Sequence, residues 1–124
     1  MMVLGVGTDI VEIRRVKKAL ENERFKERVY TGEERAYCES RGRQAAASYA
    51  ARFSGKEAVL KAFGTGLRQG SLTDIEILPD DLGCPRVKLW GYYGAFAEEM
   101  GVKRVHISLS HSAEYATAQC VMEG

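Results

Sequence analysis

The segment RFSGKEAVLKAFGTG, residues 52–66, combines charged side chains with the apolar periodicity of a helix. Glu57 and Lys61 are four residues apart, a spacing that is typical of a surface ion pair on a helix. On a helical wheel, however, Glu57 lies at the edge of the apolar stripe and Lys56 lies inside it. Lys56 could extend along the stripe to reach water, or it could contact a ligand. Neither Glu57 nor Lys56 is clearly on the solvent side, so both need partners.

Gly64, Thr65 and Gly66 follow this helix and suit a phosphate or another anion. Two glycines permit the positive φ that a nest of successive N–H groups usually needs. A plain helix C-cap at Gly64 is the alternative, because glycine is the commonest residue at a helix end. The end of a helix carries partial negative charge, so an anion there needs a nearby cation, and Lys61 lies in the last turn.

Two further places carry candidate polar groups. Asp9 follows an apolar alternation, and Asp9-Ile-Val-Glu12 has the spacing of a capping box, so taken alone Asp9 is expected to cap a helix. The stretch from His106 to His111 alternates apolar residues with imidazole and hydroxyl groups, which a solvated strand face would also explain. Because the spacing of the two histidines is poor for a metal site, we expect hydrogen bonds or phosphate contacts there.

Hydrophobic periodicity predicts the elements that must position these residues. The expected elements are a strand over 3–10, helices over about 10–28, 31–40 and 44–63, a hairpin over 74–90, a helix over 91–100 and a second hairpin over 104–122. In the strand, Leu4, Val6 and Thr8 alternate with Gly5, Gly7 and Asp9. Helices early and hairpins late predict an α+β fold with a mainly antiparallel sheet and a long central helix.

Composition limits the class of protein. A chain of 124 residues fits one domain, so we expect a single domain over 1–124. No apolar run approaches the roughly 20 residues of a spanning helix, so no membrane partner is expected. The net charge of +1 argues against a strongly basic nucleic-acid binder. The N-terminal sequence lacks signal-peptide features, and the three widely spaced cysteines indicate reduced thiols, so we expect a cytoplasmic protein.

Three motifs occur in order along the chain: Gly-x-Asp-Ile with an Asp-x-x-Glu step, Arg-Phe-x-x-Lys-Glu-Ala-x-x-Lys-Ala-Phe-Gly-Thr-Gly, and His-x-Ser-x-Ser-His. Together they resemble the holo-acyl-carrier-protein synthases, the small single-domain phosphopantetheinyl transferases. The central motif is highly specific, whereas the Gly-Thr-Gly pattern or the Asp-x-x-Glu pattern alone would be a weak indication of the family. The resemblance runs from Gly7 nearly to the end of the chain, and it implies the 4′-phosphopantetheinyl transferase fold.

The resemblance also implies an activity. It is the transfer of the 4′-phosphopantetheine arm of coenzyme A to a serine of apo-acyl carrier protein, with release of adenosine 3′,5′-bisphosphate, in support of fatty acid biosynthesis. Members of the family use Mg²⁺ and are typically homotrimers with active sites between subunits. We therefore expect Mg²⁺ as the cofactor and a homotrimer as the assembly.

By the same resemblance, Asp9 and Glu57 are expected to hold Mg²⁺, and Lys61 is expected to stabilise the charge on the phosphates; these three are the expected catalytic residues. The residues expected to bind coenzyme A are Arg52, Lys61, Gly64, Thr65, Gly66, His106, Ser108 and His111. Which group accepts the serine proton stays open between Glu57, Asp9 and a water on the metal.

Basic residues of the expected first helix suit an acidic partner. Arg14 and Arg24 share a face with two further basic residues, although three glutamates lie among them and an ordinary solvated face is the alternative. Acyl carrier proteins are small and acidic, so the resemblance makes Arg14 and Arg24 the expected docking residues.

Two other function classes use the same groups. A metal-dependent phosphohydrolase would use the carboxylates and lysine with water in place of the serine hydroxyl. A non-catalytic nucleotide-binding module would keep the glycine loop and the histidines, and it would tolerate the change Glu57→Gln. Incubation with coenzyme A and Mg²⁺, with and without apo-carrier protein, separates these classes from the transferase.

Overall fold

The computed structural model describes residues 1–67 and 69–124. In chain order the elements are β1 (Val3–Glu12), α1 (Ile13–Ala19), α2 (Glu23–Val29), α3 (Gly32–Glu39), a 3₁₀ turn (Gly42–Gln44), α4 (Ala45–Phe63), a second 3₁₀ turn (Leu72–Asp74), β2 (Ile75–Pro79), β3 (Pro85–Leu89), α5 (Gly91–Met100), β4 (Arg104–His111) and β5 (Tyr115–Glu123).

The strands form two antiparallel sheets, and α4 packs against both. One sheet has three strands in the order β1-β5-β4, and the other is the β2-β3 hairpin. Helix α4 contacts β1, β5 and β4 on one side and α1, α3 and β2 on others. The predicted α+β fold with a mainly antiparallel sheet and a long central helix is confirmed. Within the described part of the chain, no helix has the length and apolarity of a membrane span.

The prediction of a single helix over about 10–28 is wrong. Strand β1 continues to Glu12 because residues 10–12 pair with residues 115–117 of β5, and this long-range pairing overrides the local capping-box pattern. Asp9 therefore lies inside β1 and caps no helix. The helical stretch is also broken: α1 ends at Ala19, and Asn22 begins α2 by accepting the N–H of Arg24 at 2.9 Å.

The other helix ends agree with the sequence signals. Thr31 and Glu34 form a reciprocal capping box at the start of α3. Helix α4 ends at Gly64, which has a φ of +82° and so uses the left-handed conformation that glycine adopts without strain. The three cysteines, Cys38, Cys84 and Cys120, are free thiols.

Helix α4 is buried on nearly all sides rather than along the one stripe that the periodicity indicated. Of its 19 residues, 14 are buried, and these include Arg52, Ser54 and Lys56. A helix enclosed by two sheets and two other helices has little solvent-exposed surface, so its buried polar side chains must find partners inside the protein.

Two glycines of β1 bring the strand into direct backbone contact with α4. A Cβ atom on Gly5 would lie 1.9 Å from the carbonyl oxygen of Ala62, and one on Gly7 would lie 1.9 Å from the carbonyl oxygen of Ala58. No side chain can occupy either position at this separation. Because Asp9 lies on the same face of β1 as these glycines, the close approach holds its carboxylate against α4.

We expect Gly7→Ala to lower the free energy of unfolding by about 1–3 kcal/mol, because the added methyl group forces β1 away from α4. Gly32→Ala is the matched control, since no atom lies within 4 Å of a Cβ at Gly32. Gly32 begins α3, and alanine in a helix should leave stability unchanged or raise it by up to about 1 kcal/mol. Urea unfolding followed by circular dichroism measures both, and equal losses in the two variants would contradict the close contact.

Candidate active site

Helix α4 directs a row of polar side chains at β1. Ser54, Glu57 and Lys61 are separated by three and four residues, so they share one face of the helix. The Oδ2 atom of Asp9 accepts a hydrogen bond from Ser54 Oγ at 3.1 Å, and its Oδ1 atom accepts one from Lys61 Nζ at 3.2 Å. Lys61 also donates to the carbonyl of Thr8 at 3.0 Å. The structure therefore brings together all three expected catalytic residues.

The carboxylates of Asp9 and Glu57 are close enough to repel each other. The pKa of Glu57 is raised above its usual value, first because the side chain is partly buried and then because of the charge of Asp9. The charge of Lys61 acts in the opposite direction. The Lys61 side chain is 56% exposed while the Asp9 side chain is 13% exposed, so the lysine can meet a ligand from the solvent side. The predicted surface pairing of Lys61 with Glu57 is replaced by an ion pair with Asp9.

This donor set fits Mg²⁺. Asp9 and Glu57 supply carboxylate oxygens, and Mg²⁺ is commonly held by one or two carboxylates together with water and substrate phosphates. Among residues 1–67 and 69–124, no group of three or more His, Cys, Asp or Glu side chains is arranged to hold a metal. Neighbouring carboxylates that repel each other are stabilised in their ionised form by a divalent cation.

The glycine loop combines a helix cap with an exposed turn. The N–H of Gly64 points back into α4 and donates to the carbonyls of Leu60 and Lys61 at 3.1 and 3.0 Å. Gly66 also has a positive φ, of +68°, and its carbonyl accepts a bond from Tyr93 Oη at 3.3 Å. The Gly64 N–H thus has partners within the helix, and phosphate contacts of Gly64, Thr65 and Gly66 stay a prediction.

Two basic residues of the central motif lie in the interior. Arg52 is 7% exposed; its Nε donates to the carbonyl of Ile77 at 3.3 Å, and its guanidinium lies 4.7 Å from the centre of the Tyr37 ring. Lys56 is fully buried and forms an ion pair with Glu34 at 2.7 Å. Lys56 is thus enclosed with protein partners, so neither alternative left open by its place in the sequence, a reach to water or a ligand contact, describes it.

The residues of β4 lie apart from this cluster within one chain. His106 and Ser108 face away from α4, and His106 Nε2 forms a 2.6 Å bond with Glu123 Oε1 on the neighbouring strand. Asp9 is on the opposite face of the sheet, and β5 lies between its strand and β4, which is a lateral distance of roughly 10 Å. His111 ends β4, with its Nδ1 atom 3.3 Å from the carbonyl of Ser112. One chain thus does not bring the histidines to the carboxylates.

Two grooves flank α1. The larger, of about 770 Å³, has basic side chains in its wall: Arg14, Lys17, Arg43 and His111. The smaller, of about 380 Å³, is lined mainly by apolar side chains: Ile10, Val11, Val16, Ala19, Phe25 and Phe53. Arg24 is exposed at the start of α2, so Arg14 and Arg24 lie on separate helices instead of sharing one helical face.

Sequence reasoning missed Ser54 and the apolar groove. Ser54 is fully buried and orients Asp9, and its signal was its spacing with Glu57 and Lys61 inside an otherwise apolar helix. The groove depends on contact between Phe25 of α2 and Phe53 of α4, whose ring centres are 6.0 Å apart. Only the folded chain brings these two rings together.

A paired carboxylate site with an adjacent lysine, on this α+β framework, agrees with the class of protein that the motifs resemble. The sequence model of the 4′-phosphopantetheinyl transferase superfamily matches residues 5–120, and the chain belongs to this superfamily.

The relatives within the superfamily are holo-[acyl-carrier-protein] synthases. One from Ruminiclostridium cellulolyticum is 47% identical, over 98% of this chain and 92% of its own. The crystal structure of the Neisseria meningitidis synthase is 35% identical with a TM-score of 0.90, and it covers 99% of this chain and 100% of its own. The Bacillus anthracis synthase in complex with CoA (3′,5′-ADP) is 37% identical with a TM-score of 0.83, over 100% and 99% of the two chains. The predicted family and fold are thereby confirmed.

We expect Glu57→Gln to stabilise the metal-free protein near pH 7. Because the pKa of Glu57 is raised on folding, the folded state binds more protons than the unfolded state between the two pKa values. The free energy of unfolding of the wild type therefore falls as the pH rises through this window and stays lower above it. The variant does not lose stability in this window, so the difference between its free energy of unfolding and that of the wild type should shrink below about pH 4.

Urea unfolding in the presence of a chelator, from acid to neutral pH, measures this difference. Glu98→Gln removes an exposed carboxylate of α5 and serves as the control, for which no such pH-dependent gain is expected. A Glu57→Gln variant that is less stable than the wild type at pH 7 would show that the carboxylate contributes to folding rather than to binding.

Proposed function

We propose that the chain transfers the 4′-phosphopantetheine group of coenzyme A to a serine of apo-acyl carrier protein, and that it uses Mg²⁺. The observation that carries this proposal is the arrangement of Asp9, Glu57 and Lys61 at the meeting of β1 and α4. The names of the relatives, and the coenzyme A in the Bacillus anthracis structure, support the substrate.

In this reaction the serine oxygen attacks the β-phosphorus of coenzyme A. The bond from that phosphorus to the bridging oxygen breaks, and adenosine 3′,5′-bisphosphate leaves with the electron pair. Lys61 is held by Asp9 and by the Thr8 carbonyl, with its ammonium partly exposed, so it can stabilise the charge that develops on the leaving phosphate. Mg²⁺, when held by Asp9 and Glu57, supplies charge neutralisation at the pyrophosphate.

The serine proton must pass to a base near these groups. Both carboxylate oxygens of Asp9 already accept hydrogen bonds, from Ser54 and Lys61. Glu57, whose pKa is raised, is therefore better suited than Asp9 to accept the proton directly or through a water molecule.

Incubation of the protein with coenzyme A, Mg²⁺ and apo-carrier protein should add the mass of one phosphopantetheine to the carrier, measured by mass spectrometry. Glu57→Gln should lower kcat by on the order of 10²- to 10³-fold, because a carboxylate that holds the metal is lost. Hydrolysis of coenzyme A without carrier protein would indicate a phosphohydrolase. Binding of coenzyme A with no turnover would indicate a nucleotide-binding module.

We also propose a homotrimer with its active sites between subunits. The face of the three-stranded sheet that points away from α4 exposes apolar side chains, with Val6 66% and Ile10 61% exposed. His106 and Ser108 lie on the same outer face. A neighbouring subunit packed on this face would cover the apolar residues, and it could bring its β4 to the Asp9–Glu57 cluster that one chain cannot complete.

Mixing two inactive variants tests the shared site. Glu57→Gln and His106→Ala each remove one half of the proposed shared site. An equal mixture of the two should therefore regain about one quarter of the wild-type activity after dissociation and random reassembly, because each site has an even chance of receiving each intact half. Each variant dissociated and reassembled alone is the control. If the mixture stays as inactive as the separate variants, the residues act within one chain.

The carrier protein is proposed to dock on α1 and α2. Arg14 is 90% exposed at the basic groove, and the apolar groove lies on the other side of the same helix. Basic and apolar surfaces side by side suit an amphipathic acidic helix.

Arg14→Glu, and to a similar extent Arg24→Glu, should raise KM for carrier protein by about tenfold or more and leave KM for coenzyme A unchanged. Equal effects on both KM values would exclude a docking role.

We further propose that the reaction takes place in the cytoplasm and supplies carrier protein for fatty acid biosynthesis. The free thiols at Cys38, Cys84 and Cys120 are those expected in a reducing compartment. Depletion of the protein in cells should lower the holo fraction of the cytoplasmic carrier, and an unchanged holo fraction would contradict the assignment.

A further inference from the structure

A buried ion pair lies one residue from the proposed metal ligand Glu57. The Nζ atom of Lys56 and the Oε1 atom of Glu34 are 2.7 Å apart, and both side chains are 0% exposed. Lys56 is in α4 and Glu34 is in the first turn of α3. Neither contacts the proposed substrates, so the proposed reaction does not itself require this pair.

All three protons of the Lys56 ammonium are used. Besides Glu34, Nζ donates to the carbonyls of Leu72 at 2.9 Å and Ile75 at 2.6 Å. These two carbonyls belong to the 3₁₀ turn and the first residue of β2. One side chain therefore ties the middle of α4 to the end of the segment that follows the Gly64–Gly66 loop.

The carboxylate of Glu34 extends the same junction. Its Oε1 atom also accepts the backbone N–H of Thr31 at 2.9 Å, and its Oε2 atom accepts the N–H of Ile77 at 2.7 Å. The ion pair thus joins α3, α4 and β2 through directional bonds. Within the described residues, no buried side-chain nitrogen or oxygen lacks a hydrogen-bond partner, so the junction is fully satisfied.

Helix α4 needs such a junction because its apolar packing is weakly directional. Its sequence contains seven alanines and one glycine among 19 residues, and most of its surface is buried. Small side chains interdigitate little with their neighbours, so they resist rotation of the helix about its axis less than large ones do. A buried ion pair adds little net stability compared with apolar packing, but it can select one register.

We propose that the Lys56–Glu34 pair is a positioning pair that sets the rotation of α4 and thereby the location of Glu57 beside Asp9. This inference rests on the proposed function. Consecutive helical residues point about 100° apart, so Lys56 faces α3 and β2 while Glu57 faces β1. A rotation that breaks the Lys56 bonds must swing Glu57 and Lys61 along the edge of β1, and displacement of a reacting group by about 1 Å can reduce the rate on the order of 10²-fold.

The test compares Lys56→Met and Glu34→Gln with the wild type at a temperature at which circular dichroism shows all three folded. The first variant keeps the length of the side chain and removes its charge and donors. The second keeps the shape of the carboxylate, removes its charge and replaces one acceptor oxygen by an NH2 donor, and it serves as the folded comparison if the first variant does not fold. Met122→Ala, a buried truncation on β5, is the control for a loss of stability without a change at the pair.

The main readout is Mn²⁺ binding, followed by electron paramagnetic resonance with coenzyme A present and no carrier protein. We expect both pair variants to bind Mn²⁺ about 10- to 100-fold more weakly than the wild type and to have a lower kcat, with KM for carrier protein unchanged. Met122→Ala should bind Mn²⁺ as the wild type does, although its melting temperature falls.

A folded pair variant with the Mn²⁺ affinity and kcat of the wild type would overturn the positioning role, and the ion pair would then be structural only. A wild-type protein that transfers no phosphopantetheine would instead refute the proposed function. The wild-type arm therefore separates failure of the reaction from failure of the positioning pair.

Discussion

The contact between the backbones of β1 and α4 is the constraint on which the site depends. Gly5 and Gly7 leave no side chain between strand and helix, so the carbonyls of Ala58 and Ala62 lie against the strand. At this separation Asp9, two residues after Gly7, is within hydrogen-bond reach of Ser54 and Lys61. A side chain at either glycine would move the strand away from the helix and separate the carboxylates in space.

The two lysines in the central motif illustrate how burial divides similar side chains between roles. Lys56 is enclosed, and its three bonds join α4 to α3 and β2. Lys61 is more than half exposed and, within residues 1–67 and 69–124, its bonds go to Asp9 and the Thr8 carbonyl of β1, so it can exchange those contacts for a phosphate. A satisfied buried ammonium is costly to move, whereas an exposed one reorients readily, and this difference suits one to positioning and the other to catalysis.

The three-stranded sheet separates two of the sequence motifs onto opposite faces, and this separation is the reason for proposing an assembly. Its inner face carries Asp9 and packs on α4, while its outer face carries His106 beside exposed Val6 and Ile10. Since alternate residues of a strand point in opposite directions, one chain cannot turn both faces toward one ligand. A site that uses both motifs requires a second copy, for which the uncovered apolar face is suited.

The sequence by itself determined the family and most element boundaries, and it predicted Asp9, Glu57 and Lys61 as catalytic residues, because caps, alternation and a specific motif are local in the chain. It misjudged residues 10–28, where pairing with β5 extends β1, and it left Lys56 undecided, because its partners are Glu34 and two carbonyls distant in sequence. The tertiary structure decided which of the neighbours Lys56, Glu57 and Lys61 are enclosed and what each one meets. Burial and long-range contact depend on how the elements pack, and no local pattern encodes them.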